Sequence, residues 1–286
     1  MSSFSGIWVA LATPFRDGEI DFPALRRLAR QMTDAGVAGI VVCGSTGEAA
    51  ALDETEQLAV LDAVLDAVPG AAIVMGLSGS NQREVLARLD RIQSRRVAGV
   101  LVPPPPYIRP SQAGLLGFFT TLADRAEVPV LLYNIPYRAG VGIEFDTFAA
   151  LARHPRIDGV KDCGGDAMLT MRLIAETGLQ VLTGEDAQLL STLALGGAGG
   201  ILASANLRPA CFVRVHALAA AGRLDEARAL FYRLLPLVRL MFAEPNPGPL
   251  KAGLAASGWM TNELRAPMLP ASPDLAQRIA RTMDAL

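Results

Sequence analysis

"GVKDCGGD", Gly159 to Asp166, follows an apolar approach through Ile157 and Val160 and reads as the end of a buried strand that opens into a glycine loop. A lysine stands where apolar sequence gives way to polar. The chain holds 24 arginines and only two lysines, Lys161 and Lys251. A guanidinium stays protonated at any accessible pH, whereas a buried ammonium can lose its proton and become a nucleophilic amine. A position that keeps lysine in such a chain is a candidate for amine chemistry, with chance retention in an arginine-rich composition as the competing explanation.

Working outward, the same kind of short β-branched run recurs from end to end. Strands are predicted at Ile7–Thr13, Val37–Cys43, Ala71–Gly76, Gly99–Pro103, Val128–Tyr133, Gly159–Asp162, Gln180–Thr183 and Gly200–Ala203. Helical stretches lie between them. In Asp21–Asp34, Phe22, Leu25, Leu28, Ala29 and Met32 recur at helical spacing, and Asp53–Val68 opens on acids that suit a helix N-terminus. Apolar strands joined through helices imply a parallel sheet. Eight such units fit a TIM (β/α)8 barrel over residues 1–222 better than an open doubly wound sheet, and no G-x-G-x-x-G follows the first strand. Residues 223–286 hold three further helix-like segments, broken by "EPNPGP" (Glu244 to Pro249) and "APMLPASP" (Ala266 to Pro273), and read as a C-terminal helical extension.

The composition agrees with a globular enzyme: 286 residues, 51% hydrophobic, 19% charged, net charge −2. Nucleic acid is not an expected partner. The start, Met1 to Trp8, lacks the basic and apolar regions of a leader, and no later segment runs about 18 residues without a charge or breaker, so a cytoplasmic protein without membrane association is expected. Cys43, Cys163 and Cys211 are widely spaced, and His154 and His216 are the chain's only histidines. Neither a disulfide framework nor a metal site is indicated, and no cofactor is expected.

A TIM barrel places its chemistry at the C-terminal ends of its strands. The polar residues at those ends are Gly44-Ser45-Thr46-Gly47-Glu48, then Tyr107 and Arg109 after a proline run, Tyr133 to Arg138, Lys161, and Thr183-Gly184-Glu185-Asp186. An amine in an apolar barrel, ringed by hydroxyls and with arginine at hand, suits Schiff-base catalysis on a 2-oxo acid. Attack on a carbonyl needs Lys161 neutral, which burial favours. Tyr133 is placed to carry protons. Ser45 and Thr46, in a turn between glycines, offer hydroxyls and N–H groups for a small carboxylate, and Arg138 offers a bidentate fork for a second. Glycine-rich "LGGAGG" (Leu195 to Gly200) precedes strand eight and so lies at the opposite rim from the loops that usually bind phosphate, which disfavours a phosphorylated substrate or flavin mononucleotide.

At these residues the sequence resembles the dihydrodipicolinate synthase/N-acetylneuraminate lyase family of class I, lysine-dependent aldolases, over nearly the whole chain. The carrying motifs are "ALATPF" (Ala10 to Phe15), "GSTGEAAAL" (Gly44 to Leu52), "YIRPSQAGL" (Tyr107 to Leu115), "YNIPYRAG" (Tyr133 to Gly140), "GVKDCGGD", "LTGEDA" (Leu182 to Ala187) and "EPNPGPLK" (Glu244 to Lys251). The arginine of "YNIPYRAG", the tyrosine before "IRPSQ" and the "EPNP" segment are similar to the synthase branch, which condenses pyruvate with aspartate 4-semialdehyde on the route to lysine. The resemblance implies that Lys161 forms the pyruvate imine, that Ser45 and Thr46 hold its carboxylate, and that Tyr133, Ser45 and Tyr107 relay protons. It implies further that Tyr107 comes from a neighbouring subunit, that Arg138 binds the aldehyde's carboxylate, and that the backbone of Gly184 and Ile201 shapes the floor. A homotetramer built from tight dimers is implied too.

Three departures bear on the second substrate. Ser45 stands where the synthases usually have threonine, Asp162 replaces a usual glutamate, and Pro103 to Pro106 displace a tyrosine that many synthases carry at position 106. Alternatives are a same-mechanism lyase for another 2-oxo acid, such as a sialic or sugar-derived one, and a non-catalytic oxo-acid-binding barrel. A metal-dependent lyase is disfavoured by the scarcity of histidine. In regulated relatives lysine binds between tight-dimer partners. The matching positions here are Ala49, Glu54, Gln57, Ser80 and Pro106, with Glu84 kept, so feedback by lysine is expected to be weak or absent.

Overall fold

The computed structural model describes residues 4–286; Met1 to Ser3, the start of the stretch read for a leader, lie outside the described residues. Ten strands occur among them: β1 (Gly6–Ala10), β2 (Phe15–Arg16), β3 (Glu19–Ile20), β4 (Gly39–Val42), β5 (Ile73–Gly76), β6 (Gly99–Val102), β7 (Val130–Asn134), β8 (Ile157–Asp162), β9 (Gln180–Thr183) and β10 (Gly199–Leu202). Eight of them close into a barrel in the order β1-β10-β9-β8-β7-β6-β5-β4, with parallel pairing of β1 with β4 and along β5 to β10, and with helices between. All eight expected strands are therefore present, within a few residues of their expected ends. β2 and β3 form a small antiparallel hairpin that periodicity did not reveal, since two-residue strands are too short to show a period.

Strand burial explains the apolar runs. Each residue of β4, β5, β6, β7 and β10 is buried, as helix-covered parallel strands require. The helices begin where local chemistry directs. Asp21 accepts from the Ala24 N–H at 2.9 Å to cap Phe22–Asp34, whose buried face is Ala24, Leu25, Leu28, Ala29 and Met32. Asp53 and Glu56 form a reciprocal capping box at the start of Glu54–Ala67, which accounts for the acids read there.

By packing, the chain divides into two compact units, Ala72–Gly200 and Gly6–Ala71 with Ile201–Leu286. The first carries β5 to β9 with their helices. The second carries β1 to β4 and ends in helices Leu224–Met241, Gly248–Ala256 and Pro273–Asp284, the three segments expected beyond the barrel. No described helix is long and apolar enough to cross a membrane.

Candidate active site

Lys161 is the fifth residue of β8 and is buried. Parallel register sets Tyr133 of β7 beside it and pairs Asn134 with Asp162 one step further. Because side chains alternate between the faces of a strand, the two pairs point opposite ways. Lys161 and Tyr133 share one face, where the amine lies 4.4 Å from the centre of the tyrosine ring. Asn134 and Asp162 share the other. There the Asn134 amide donates to Asp162 Oδ1 at 2.9 Å, the Gly164 N–H donates to the same oxygen at 2.9 Å, and the Thr170 hydroxyl donates to Oδ2 at 2.9 Å. Asp162 thus has a structural assignment of its own: its shorter side chain ties β8 to β7 and to helix Ala167–Glu176, which fixes which way Lys161 faces.

The floor beside Lys161 comes from β9. The Gly184 N–H donates to the Asp162 carbonyl at 2.7 Å, carrying the ladder one residue past the end of β9. A side chain at 184 is sterically impossible without movement, since a Cβ there comes within 2.5 Å of Lys161 Cε. Next to it, Glu185 is half-buried and its carboxyl is raised above the usual range, by desolvation first and by Asp186 second, with Lys161 acting in the opposite sense. Cys163 is buried and its thiol is pushed up to about 12, chiefly by desolvation, with Lys161 acting in the opposite sense. A thiol so protonated is no nucleophile at neutral pH. The three cysteines are free.

The loops of the same unit hold the remaining polar groups. Tyr107 is 93% exposed and has φ 72°, and Arg109 has φ 46°, both in the left-handed region that residues other than glycine seldom occupy. Arg109 Nε donates to the Gly140 carbonyl at 2.8 Å. Gln112 donates to Gly142 O at 2.9 Å and accepts from the Glu144 N–H and the Thr147 hydroxyl. The loop that bears Tyr107 is therefore stitched to the segment that follows Arg138. Arg138 itself is exposed on the short helix Pro136–Ala139, 5.8 Å from the Tyr137 ring.

In the other unit, β4 runs into the Gly44–Glu48 turn. Cys43 and Glu48 bracket it with positive φ, 52° and 53°. The Thr13 hydroxyl donates to Gly47 O at 2.8 Å, so the "ALATPF" motif holds the turn from one side. Asn246 of "EPNPGPLK" holds it from another, its amide donating to Thr46 Oγ1 at 3.1 Å. A hydroxyl that accepts one bond keeps its proton to donate elsewhere. Thr46 is buried and Ser45 partly so, and neither N–H has an acceptor among the described residues. Two such donors in succession suit an anion. Ile201 is buried in the middle of β10.

Sequence reading named Lys161, Tyr133, Ser45, Thr46, Tyr107, Arg138, Gly184 and Ile201; the structure brings Lys161, Tyr133 and Gly184 into one cluster and leaves Tyr107 exposed on its loop and Arg138 exposed on its short helix. Sequence reading gave no role to Asn246 or Glu48, whose motifs were visible but whose partners lie far off in sequence, and noted Asp162 only as a departure from the family without its structural bonds. Among the described residues, no three histidine, cysteine or acidic side chains are grouped as a metal site would require.

A closed (β/α)8 barrel with a buried strand-end amine lying over a tyrosine ring defines a barrel of the lysine-bearing class. The chain belongs to the dihydrodipicolinate synthetase family, which matches residues 3–286. It is 38% identical over 269 residues to a 4-hydroxy-tetrahydrodipicolinate synthase of Haloarcula marismortui, covering 93% of this chain and 88% of that one. The dihydrodipicolinate synthase of Acinetobacter baumannii, solved with pyruvate, superimposes with TM-score 0.95 at 29% identity, covering 98% of both chains. That of Cyanidioschyzon merolae, solved with lysine bound, gives TM-score 0.96 at 28% identity over 100% of this chain and 99% of the other.

Proposed function

We propose that this protein is a 4-hydroxy-tetrahydrodipicolinate synthase, a class I aldolase-type lyase that condenses pyruvate with L-aspartate 4-semialdehyde in lysine biosynthesis. The observation that carries the reading is the buried Lys161 amine facing Tyr133 at the end of β8. The names of the relatives support it. Neutral Lys161 adds to the pyruvate keto carbon and water leaves, giving an imine. Loss of a methyl proton turns the imine into an enamine, whose carbon attacks the aldehyde. The amino group of the semialdehyde then adds to the imine carbon and releases Lys161, closing the ring.

Tyr133 carries the protons with Ser45 and with Tyr107 of a neighbouring subunit. Exposure of Tyr107 in the single chain supports that last role. The N–H groups and hydroxyls of Ser45 and Thr46 receive the pyruvate carboxylate, the Thr46 hydroxyl donating while it accepts from Asn246, Arg138 receives that of the aldehyde, and the backbone of Gly184 and Ile201 forms the floor. On this reading residues 1–222 carry the chemistry, residues 223–286 are a helical extension, and the working assembly is a cytoplasmic homotetramer of tight dimers. Incubation with pyruvate and aspartate 4-semialdehyde, with sugar aldehydes as controls, tests the assignment: turnover confined to the sugars moves the protein to the lyase branch of the same chemistry.

Arg138→Ala is expected to spare imine formation with pyruvate while weakening use of the aldehyde. Loss of one charged hydrogen-bond partner costs about 1.5–3 kcal/mol, roughly ten- to a hundred-fold in affinity. Steady-state kinetics in each substrate, with borohydride trapping as the pyruvate readout, separate the two; equal damage to both assigns Arg138 elsewhere.

Feedback by lysine is expected to be weak or absent. The polar groups at the matching positions already serve the protein: Gln57 donates to the carbonyls of Ala49 and Leu52, Ser80 to that of Pro106 at 2.7 Å, and Glu84 accepts from Asn81. Each ligand group desolvated without a partner loses about 1–3 kcal/mol, and two such losses weaken binding by at least roughly thirty-fold. An activity titration should therefore show no half-inhibition at submillimolar lysine, and submillimolar inhibition refutes the expectation.

A further inference from the structure

Lys251, the chain's other lysine, is fully buried, and the chemistry above leaves it without a task. Its amine pairs with the Glu48 carboxylate, donates to the Glu263 carbonyl at 2.9 Å and lies 4.1 Å from the centre of the Phe15 ring. This enclosure leaves no approach for a substrate, so Lys251 is not a second nucleophile. Burial lowers its pKa to about 8, with Glu48 acting in the opposite direction. Three donors of a compact ammonium fit two oxygens and a ring face, whereas the five of a guanidinium would leave several unpaired. That accounts for lysine here in a chain that otherwise uses arginine.

What the pair holds is the turn after β4. Glu48 is the turn's last residue, in a left-handed conformation that a non-glycine residue keeps only when its surroundings enforce it. Its second oxygen accepts from the Arg265 N–H at 3.1 Å. The Arg265 guanidinium in turn grips Glu56 at 2.6 and 2.7 Å and the Ala51 carbonyl at 3.0 Å, on the chain that leaves the turn. Asn246, shortly before Lys251, reaches Thr46 inside the turn.

We propose that the buried Glu48–Lys251 pair is a positioning device for the reaction. With Asn246 and Arg265 it clamps the Gly44–Glu48 turn in the one conformation that presents the N–H groups and hydroxyls of Ser45 and Thr46 to a substrate carboxylate. The inference rests on the proposed reading of that turn as the pyruvate carboxylate site. Neither Glu48 nor Lys251 touches the substrate; both act through the turn.

The test is the double variant Glu48→Met/Lys251→Met, which replaces both charges by apolar chains of similar length and avoids stranding one buried charge. KM for pyruvate is expected to rise about ten-fold or more, with kcat falling as well, since the same turn presents the carboxylate site and the Ser45 hydroxyl of the proton relay. The single Glu48→Met is expected to be at least as impaired as the double variant, because the remaining amine is stranded. A pair that only stabilised the fold would lower Tm and leave KM unmoved, so a folded double variant with the parent's pyruvate KM overturns the proposal. If the variants do not fold, amide hydrogen exchange on the unaltered protein decides: pyruvate should slow exchange in residues 246–265 as well as in the turn, and protection confined to the turn overturns the clamp. Borohydride trapping of pyruvate, run in parallel, separates the two layers: no trapping at Lys161 defeats the pyruvate reading itself, and the clamp with it.

Discussion

Lys161→Arg is expected to lose activity by on the order of 10⁴-fold or more, the scale on which covalent enzymes suffer when their nucleophile is removed. Arginine keeps the charge and much of the length, yet a guanidinium does not give up its proton and cannot form an imine. The variant should still fold, because Asp162, Asn134 and Thr170 hold the end of β8 on the opposite face and are untouched. In the unaltered protein, borohydride with pyruvate should add the mass of the reduced adduct to the peptide containing Lys161; in the variant no peptide should gain it. Trapping at Lys251, or a Lys161→Arg protein with full turnover, would falsify the assignment. The first outcome is already opposed by geometry, since Lys251 is sealed by Glu48, the Glu263 carbonyl and Phe15.

Gly184→Ala is expected to cost about a hundred-fold in kcat/KM, the penalty that accompanies an ångström-scale misplacement of a reacting group. The added methyl would sit 2.5 Å from Lys161 Cε and 2.9 Å from its Cγ, and closer still to the Cys163 sulfur. Backbone relief is unavailable, because the Gly184 N–H is committed to the Asp162 carbonyl at 2.7 Å. The lysine stem and the Cys163 side chain must therefore move. Gly178→Ala is the matched control: a methyl there meets nothing within 4 Å, and no loss of activity is expected. Comparison of trapping rates and melting curves for the two variants checks the argument. A Gly184→Ala enzyme with unchanged kinetics would mean that the lysine's position is far softer than this packing implies.

What could be read in the sequence was whatever the chain encodes locally. Eight apolar runs spaced by helical periods specify a parallel barrel because a strand covered by helices on a closed sheet has no solvent face and so needs no polar alternation. The position of Lys161 followed from the same logic: the last residues of such a run are where a barrel exposes its chemistry. Motifs such as "GSTGE" and "YNIPYR" marked the turns that follow their strands. The β2–β3 hairpin was invisible because its strands are shorter than one full alternation.

Tertiary structure alone decided how these pieces act on one another. Both lysines are rare and both are buried, yet sequence could not say that one amine is left over a tyrosine ring while the other is locked in an ion pair. The difference lies in partners brought together across the fold: Asn246 meets Thr46 from 200 residues away, and Lys251 meets Glu48 over a similar span. Nothing in either segment's period or propensity encodes the other, because such contacts are set by chain closure and packing after the local elements exist. The sequence by itself therefore determined the barrel, its eight strands and the residue types at their ends. The fold determined which of those residues face each other, and how a left-handed glutamate and a distant lysine come to hold one turn between them.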